Sequence, residues 1–322
     1  MYKYVFTRRI VSLKLLGASL ALSLYISTPY AQDTLTAISH FQDSHVQNEG
    51  QVRTEIDQQR RQAEEQAQKS LVPEAIVVIE ETKKAIDSLA KMKDQKEALE
   101  AIERATGKIN ILLARHPATA LLPIGFKVEV IDTAPSDIKI IKKIIEDINK
   151  EIKNKNYPET RLLLDILRSE INVRIYHLPL AIYPAALKEA ARLLDQKQTN
   201  ESITVLATAL NTLIIINQSL PIPTLVAKVL ITEAEEKQKQ EKETSLKLIA
   251  KARYELKRAN ELGYAQHDQD YTLLKQDLEK LEQHVKSTEN NTSVFAAIKE
   301  KFRAFFKRHF ETKTPPLHPE QK

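Results

Sequence analysis

The 322-residue chain has no cysteine, no tryptophan and only five glycines. The lack of cysteine excludes a disulfide, a thiolate metal site, a cysteine nucleophile and a lipid-attachment cysteine. Five dispersed glycines build no phosphate-cradling loop, and no GxSxG, SxxK, Walker or GxGxxG pattern occurs. A usable charge surplus is missing too. The formal net charge is +5, but Lys3, Arg8, Arg9 and Lys14 sit in an N-terminal segment that holds no acid. Setting that segment aside leaves 44 basic residues, of the 48 in the chain, against all 43 acidic ones. Net charge therefore gives no ground for nucleic-acid binding, and none is expected.

What remains is a helix-forming composition. Leu, Ala, Ile, Lys and Glu dominate. Their side chains lose little rotamer freedom in a helix, and near-absence of glycine removes the commonest breaker.

Residues 1–31 read as a targeting segment. A basic stretch, "MYKYVFTRRIVSLK", precedes the apolar run "LLGASLALSLYI" (15–26), and "STPYA" then ends in a small residue. That order is a secretory signal, too short for a stable membrane span. Cleavage is expected after Ala31 and the location is expected to be the periplasm. An uncleaved inner-membrane anchor is the alternative, since Pro29 fits the cleavage pattern poorly. Residues 32–70 read as a polar leader ending in an exposed or frayed helix, because "QVRTEIDQQRRQAEEQAQKS" has almost no apolar face.

From Leu71 onward the pattern repeats. "EALEAIERATGKINILLARHP" (97–117), "ETRLLLDILRSEINVRIYHLP" (159–179) and "ESITVLATALNTLIIINQSLP" (201–221) each run from an acid to a proline. Their aligned apolar positions are Ile102, Ala105, Ile109; Leu164, Leu167, Ile171; and Leu206, Ala209, Leu213. This spacing predicts one face of a proline-ended helix in each copy. A partner helix precedes each, near 73–91, 136–153 and 182–195. A weaker fourth copy covers 224–262, and another helix runs from about 269 to 286. "LLPIGFKVEVIDTAP" (121–135) alternates and reads as extended. The expected fold is all-α: stacked helical hairpins over 71–264 with one short extended segment near 121–135, then a helix and linker (265–293).

Chemistry-bearing residues are sparse. The eight histidines lack ligand spacing, so no metal or cofactor is expected. Adjacent carboxylates such as Glu80 and Glu81 do not share a helix face and read as solvated. No catalytic residue is assigned and a non-enzymatic protein is expected; an enzyme would need polar groups converging from separate hairpins. "IYHLPLAIYP" (175–184) places Tyr176, His177 and Tyr183 between two prolines at a hairpin junction. Packing at a corner is the first reading and a ligand- or partner-binding groove the second.

Residues 294–322 hold seven basic and three acidic residues. Phe295, Ile298, Phe302, Phe305, Phe306 and Phe310 fall on one arc of a helix, flanked by Lys301, Arg303, Lys307 and Arg308. Two readings of this basic amphipathic helix stand equal. It lies on an anionic membrane or a partner, or its phenylalanines dock on the protein's own repeats.

The runs at 98–135, 160–173, 178–223 and 233–264, with their "PLAIYP" and "LPIP" corners, resemble the YfdX family. The resemblance covers roughly 71–264 and implies an exported, all-helical bacterial protein, some relatives being linked to stress-response regulons. It implies no catalytic residues, and it does not speak for the leader or the tail. The expected role is an envelope binding protein whose occupant is a protein partner or a small apolar ligand, with self-association open. A chaperone-like holding protein is the alternative.

Overall fold

The computed structural model describes residues 49–92, 94–265, 269–287 and 291–310. Residues 1–31, expected to be a targeting segment, and residues 32–48 of the expected leader lie outside them. Described helices are α1 (Glu49–Ser70), α2 (Pro73–Asp87, running on into a π turn at Ser88–Met92), α3 (Gln95–Arg115), α4 (Ile138–Lys153) and α5 (Tyr157–Ile166). They continue with α6 (Tyr183–Asp195), α7 (Thr199–Asn211), α8 (Ile222–Lys237), α9 (Lys242–Glu261), α10 (Gln269–Ser287) and α11 (Thr292–Phe310). Strands β1 (Leu121–Asp132), β2 (Ser169–Pro179) and β3 (Ile214–Pro221) form one antiparallel sheet in the order β1-β2-β3.

The mostly helical class and the hairpin pattern are as expected, and β1 is the extended segment expected near 121–135. Local signals set the helix starts. The Asp94 carboxylate accepts from the Glu97 N–H at 3.0 Å, and proline stands in the first turn of α2, α5, α6 and α8.

The proline-ended helix, however, is not the repeating unit. Only the first copy stays helical to its proline. In the other two the helix stops at Ile166 or Asn211, and a strand runs to Pro179 or Pro221. The reason is a change of period. Ile171, Val173 and Ile175 alternate with Asn172, Arg174 and Tyr176, and three β-branched isoleucines open β3. The repeat is thus a helical hairpin followed by a strand: α2–α3–β1, α4–α5–β2, α6–α7–β3. A fourth hairpin, α8–α9, has no strand.

The sheet separates two cores. Ile171, Val173 and Ile175 of β2 face the larger one, built with α8, α9, α10 and α11. The smaller core joins α2, α3, α6 and α7 around Ile102, Ile109 and Tyr183 and reaches the sheet at Leu122 and Leu178. Helix α1 is not the exposed element expected. Ala63 and Ala67 are buried in the larger core with Ile56 packed against it, and Glu55 pairs with Lys228 at 2.7 Å. Two alanines four residues apart give too weak a stripe to show in a hydropathy pattern, yet they let helices approach closely.

Candidate functional site

The stretch 175–184 ends β2 and opens α6, so its residues are held by the sheet on one side and a helix on the other. In register, Gly125 of β1, Tyr176 of β2 and Ile215 of β3 lie side by side. They share the sheet face that points away from the larger core. Farther along that face the row turns polar. Lys127 pairs with Glu129 at 2.6 Å and holds its carboxyl below the usual range, and Arg174 Nε donates to Asn172 Oδ1 at 3.3 Å.

Two hollows flank this corner. One, of about 180 Å³, lies between α6 and α7; Ile182, Tyr183, Ala186, Val205, Thr208 and Thr212 are among its walls. The other, of about 260 Å³, is walled by Ile76, Ile79, Glu80 and Lys83 of α2 with Ile124, Gly125, Tyr176 and Leu213. Tyr176 and Tyr183, expected together, thus line different hollows. The opposite walls come from α2 and α7, which no local motif ties to the corner. Leu213 and Thr212, adjacent just ahead of β3, each reach a different hollow.

Tyr183 is anchored. Its hydroxyl donates to Thr82 Oγ1 at 3.0 Å, and that hydroxyl donates to the Val78 carbonyl at 2.7 Å. Burial pushes the phenol up to about 12, so it stays a donor at any physiological pH. His177 is fully buried beneath the corner. Its Nδ1–H donates to the Ile175 carbonyl at 3.0 Å, and its Nε2 is buried with no hydrogen-bond partner. Burial lowers its pKa, against the backbone of Ile175 and Ile214, which pull it up. A group whose folded pKa is depressed contributes stability above its unfolded pKa, about 6.5, and loses it as pH falls toward the folded value. Thermal melts should therefore show stability falling as pH drops from about 6.5, and His177→Gln should remove that part of the slope.

The tail helix turns its apolar face inward. Phe295, Ile298, Phe302, Phe305 and Phe306 are buried in the larger core, where α11 packs on α8, α10 and β3. Phe302 and Phe306 stack at 6.1 Å, and Phe305 meets Phe306 edge-on at 5.7 Å. The side chain of Phe310 lies outside the described part. The flanking cations are largely engaged: Lys301 with Asp277, Arg303 with Glu300 and Arg308 with Asp270, while Lys307 is exposed. The face that a membrane or partner would meet is occupied here by the protein's own helices.

Among the described residues, no three His, Asp or Glu side chains gather as a metal site, and no helix is long and apolar enough to cross a membrane.

No curated protein matches the chain. Among solved structures, a crystal form of Salmonella Typhi YfdX is similar at 12% identity and a TM-score of 0.33, over 47% of this chain and 93% of that one. Residues 78–219 match the family model for YfdX protein, from inside α2 to inside β3, which is the span of the three hairpin-and-strand units. Over that span the chain is similar to the YfdX family.

Proposed function

We propose that this is an exported, non-enzymatic binding protein of the cell envelope whose binding surface is the corner where β2 and β3 meet α2, α6 and α7. The observation that carries this reading is the pair of hollows, walled mostly by aliphatic side chains, tyrosine and threonine methyls, which Thr212 and Leu213 reach just ahead of the exposed strand β3. Such walls suit small apolar groups, whose transfer from water drives binding without polar chemistry. Envelope location rests on the residue pattern of 1–31. Recovery from the periplasmic fraction with Gln32 as the first residue checks it. In this reading the tail belongs to the core, since its phenylalanines complete the packing of α8 and α10.

Methyl-labelled protein titrated with cyclohexanol tests the surface. Saturable shifts are expected at Ala186, Val205 and Ala209 and at Ile76 and Ile79. Thr208→Leu, which adds volume to the α6–α7 hollow, should abolish the first set and spare the second. Shifts that do not saturate, or that gather elsewhere, would contradict the assignment.

A further inference from the structure

β3 is an edge strand with one side unused. It pairs with β2 from Ile214, opposite His177, to Pro221, opposite Glu170. Among the described residues, Ile214–Ser219 make no backbone–backbone hydrogen bond outside that pairing. The other edge of the sheet is guarded. β1 carries a register break between Pro123 and Gly125, and the Val72 N–H donates to the Pro123 carbonyl at 2.9 Å. Edge strands are ordinarily blunted by charge, proline or a bulge. "IIINQSL" (214–220) has none of these. Ile214 is 40% exposed and Ile215 is 50% exposed, on opposite faces of the strand. In an antiparallel pair alternate residues turn both N–H and C=O outward, so the open half, 214–217, offers two such residues.

We propose that β3 takes an extended, uncharged polypeptide segment as a fourth strand, with apolar side chains of that segment seated in the hollow that Tyr176 and Leu213 line. The inference deepens the reading of the corner as a binding surface and rests on it. An extended chain is the occupant that fits, because it alone presents free main-chain groups and also sends successive side chains to opposite faces. On the face that carries Tyr176 and Ile215, the hollow reached by Leu213 lies within reach of those side chains. A helix has its N–H and C=O groups already paired. A second copy fits less well. A two-fold pairing of β3 edges centred on Ile215 sets Gln218 and Asn217 opposite Thr212 and Leu213, polar side chains against apolar walls.

The test is amide exchange by NMR on the full chain with a capped hexapeptide of alternating leucine and threonine. The control is the same peptide N-methylated at alternate amides, which keeps the side chains and removes the edge hydrogen bonds. The expected result is saturable protection of alternate amides within 214–217, weakened about tenfold or more by N-methylation. Ile215→Lys should weaken binding by a similar factor while leaving distant resonances unchanged. Equal binding of the N-methylated peptide would overturn strand addition and leave the hollows as the binding surface. Absence of protection with either peptide would overturn it too, and the cyclohexanol titration then decides the corner separately. Protection of 214–217 in the free protein that grows with its concentration would give the edge to a second copy and overturn the proposal.

Discussion

Phe302→Ala should lower the stability of the whole protein by about 3–5 kcal/mol, the range for truncating a buried phenylalanine in a core that relaxes only partly. Phe302 is fully buried, stacks on Phe306, and shares the larger core with Ile171, Val173 and Leu225. Its removal therefore opens a void beside the sheet rather than at a loose end. Typical domains have only about 5–15 kcal/mol in total, so the denaturation midpoint should move far, with α8 and α10 melting together with the tail. A variant that melts like the parent would mean that α11 contributes nothing to the core. Ala304→Ser is the control, because Ala304 is exposed on the same helix and its change should leave the midpoint within about 0.5 kcal/mol.

The second large effect is expected at Arg258. Its guanidinium is buried at the junction of α9 with the end of β1. Nε donates to the Pro135 carbonyl at 2.9 Å, Nη2 to the Ala134 carbonyl at 2.9 Å and Nη1 to Glu255 at 3.2 Å. Asp132 stands 3.9 Å away. The fork geometry of arginine explains why one side chain can satisfy two carbonyls and a carboxylate. Arg258→Met keeps the apolar stem and removes every donor, so the Pro135 and Ala134 carbonyls and the buried Glu255 carboxylate lose their hydrogen bonds to it. Breaking a buried pair in this way costs about 3–5 kcal/mol. Denaturant melts should show that loss, with a smaller one for Arg258→Lys, which keeps the charge and loses the fork. Equal stability of all three forms would contradict the role given to this contact.

Much of the fold is legible in the residues. Helix boundaries at 73, 138, 183 and 269 follow from caps, prolines and a 3.6-residue period. The sheet is harder. Leu164, Leu167 and Ile171 satisfy a helical spacing, yet Ile171 belongs to the alternating series with Val173 and Ile175. The same residues thus fit two periods, and tertiary context chooses. In the third unit the cue was present: three β-branched residues in a row, Ile214–Ile216, favour a strand over a helix end.

The tail shows a different limit. An amphipathic phenylalanine face is equally suited to lipid, a partner or the protein's own core, and only its packing against α8 and α10 distinguishes these. For the corner, two prolines around 175–184 mark a junction, and Tyr176 and Tyr183 do line hollows. The opposing walls, Ile76, Ile79, Val205 and Thr208, come from distant hairpins, and no local pattern assigns them. The open edge of β3 is legible only in retrospect, as an uncharged run of seven residues where an edge would normally carry a lysine.

The central claim is that the tail is core and the binding surface is the β3 corner. Hydrogen–deuterium exchange of the full chain, with and without anionic vesicles, tests it most directly. The account predicts that residues 295–306 are as protected as α8 and α10 in free protein, and that vesicles leave this protection unchanged. Weak protection of 295–306 in free protein that rises on adding anionic vesicles would contradict it.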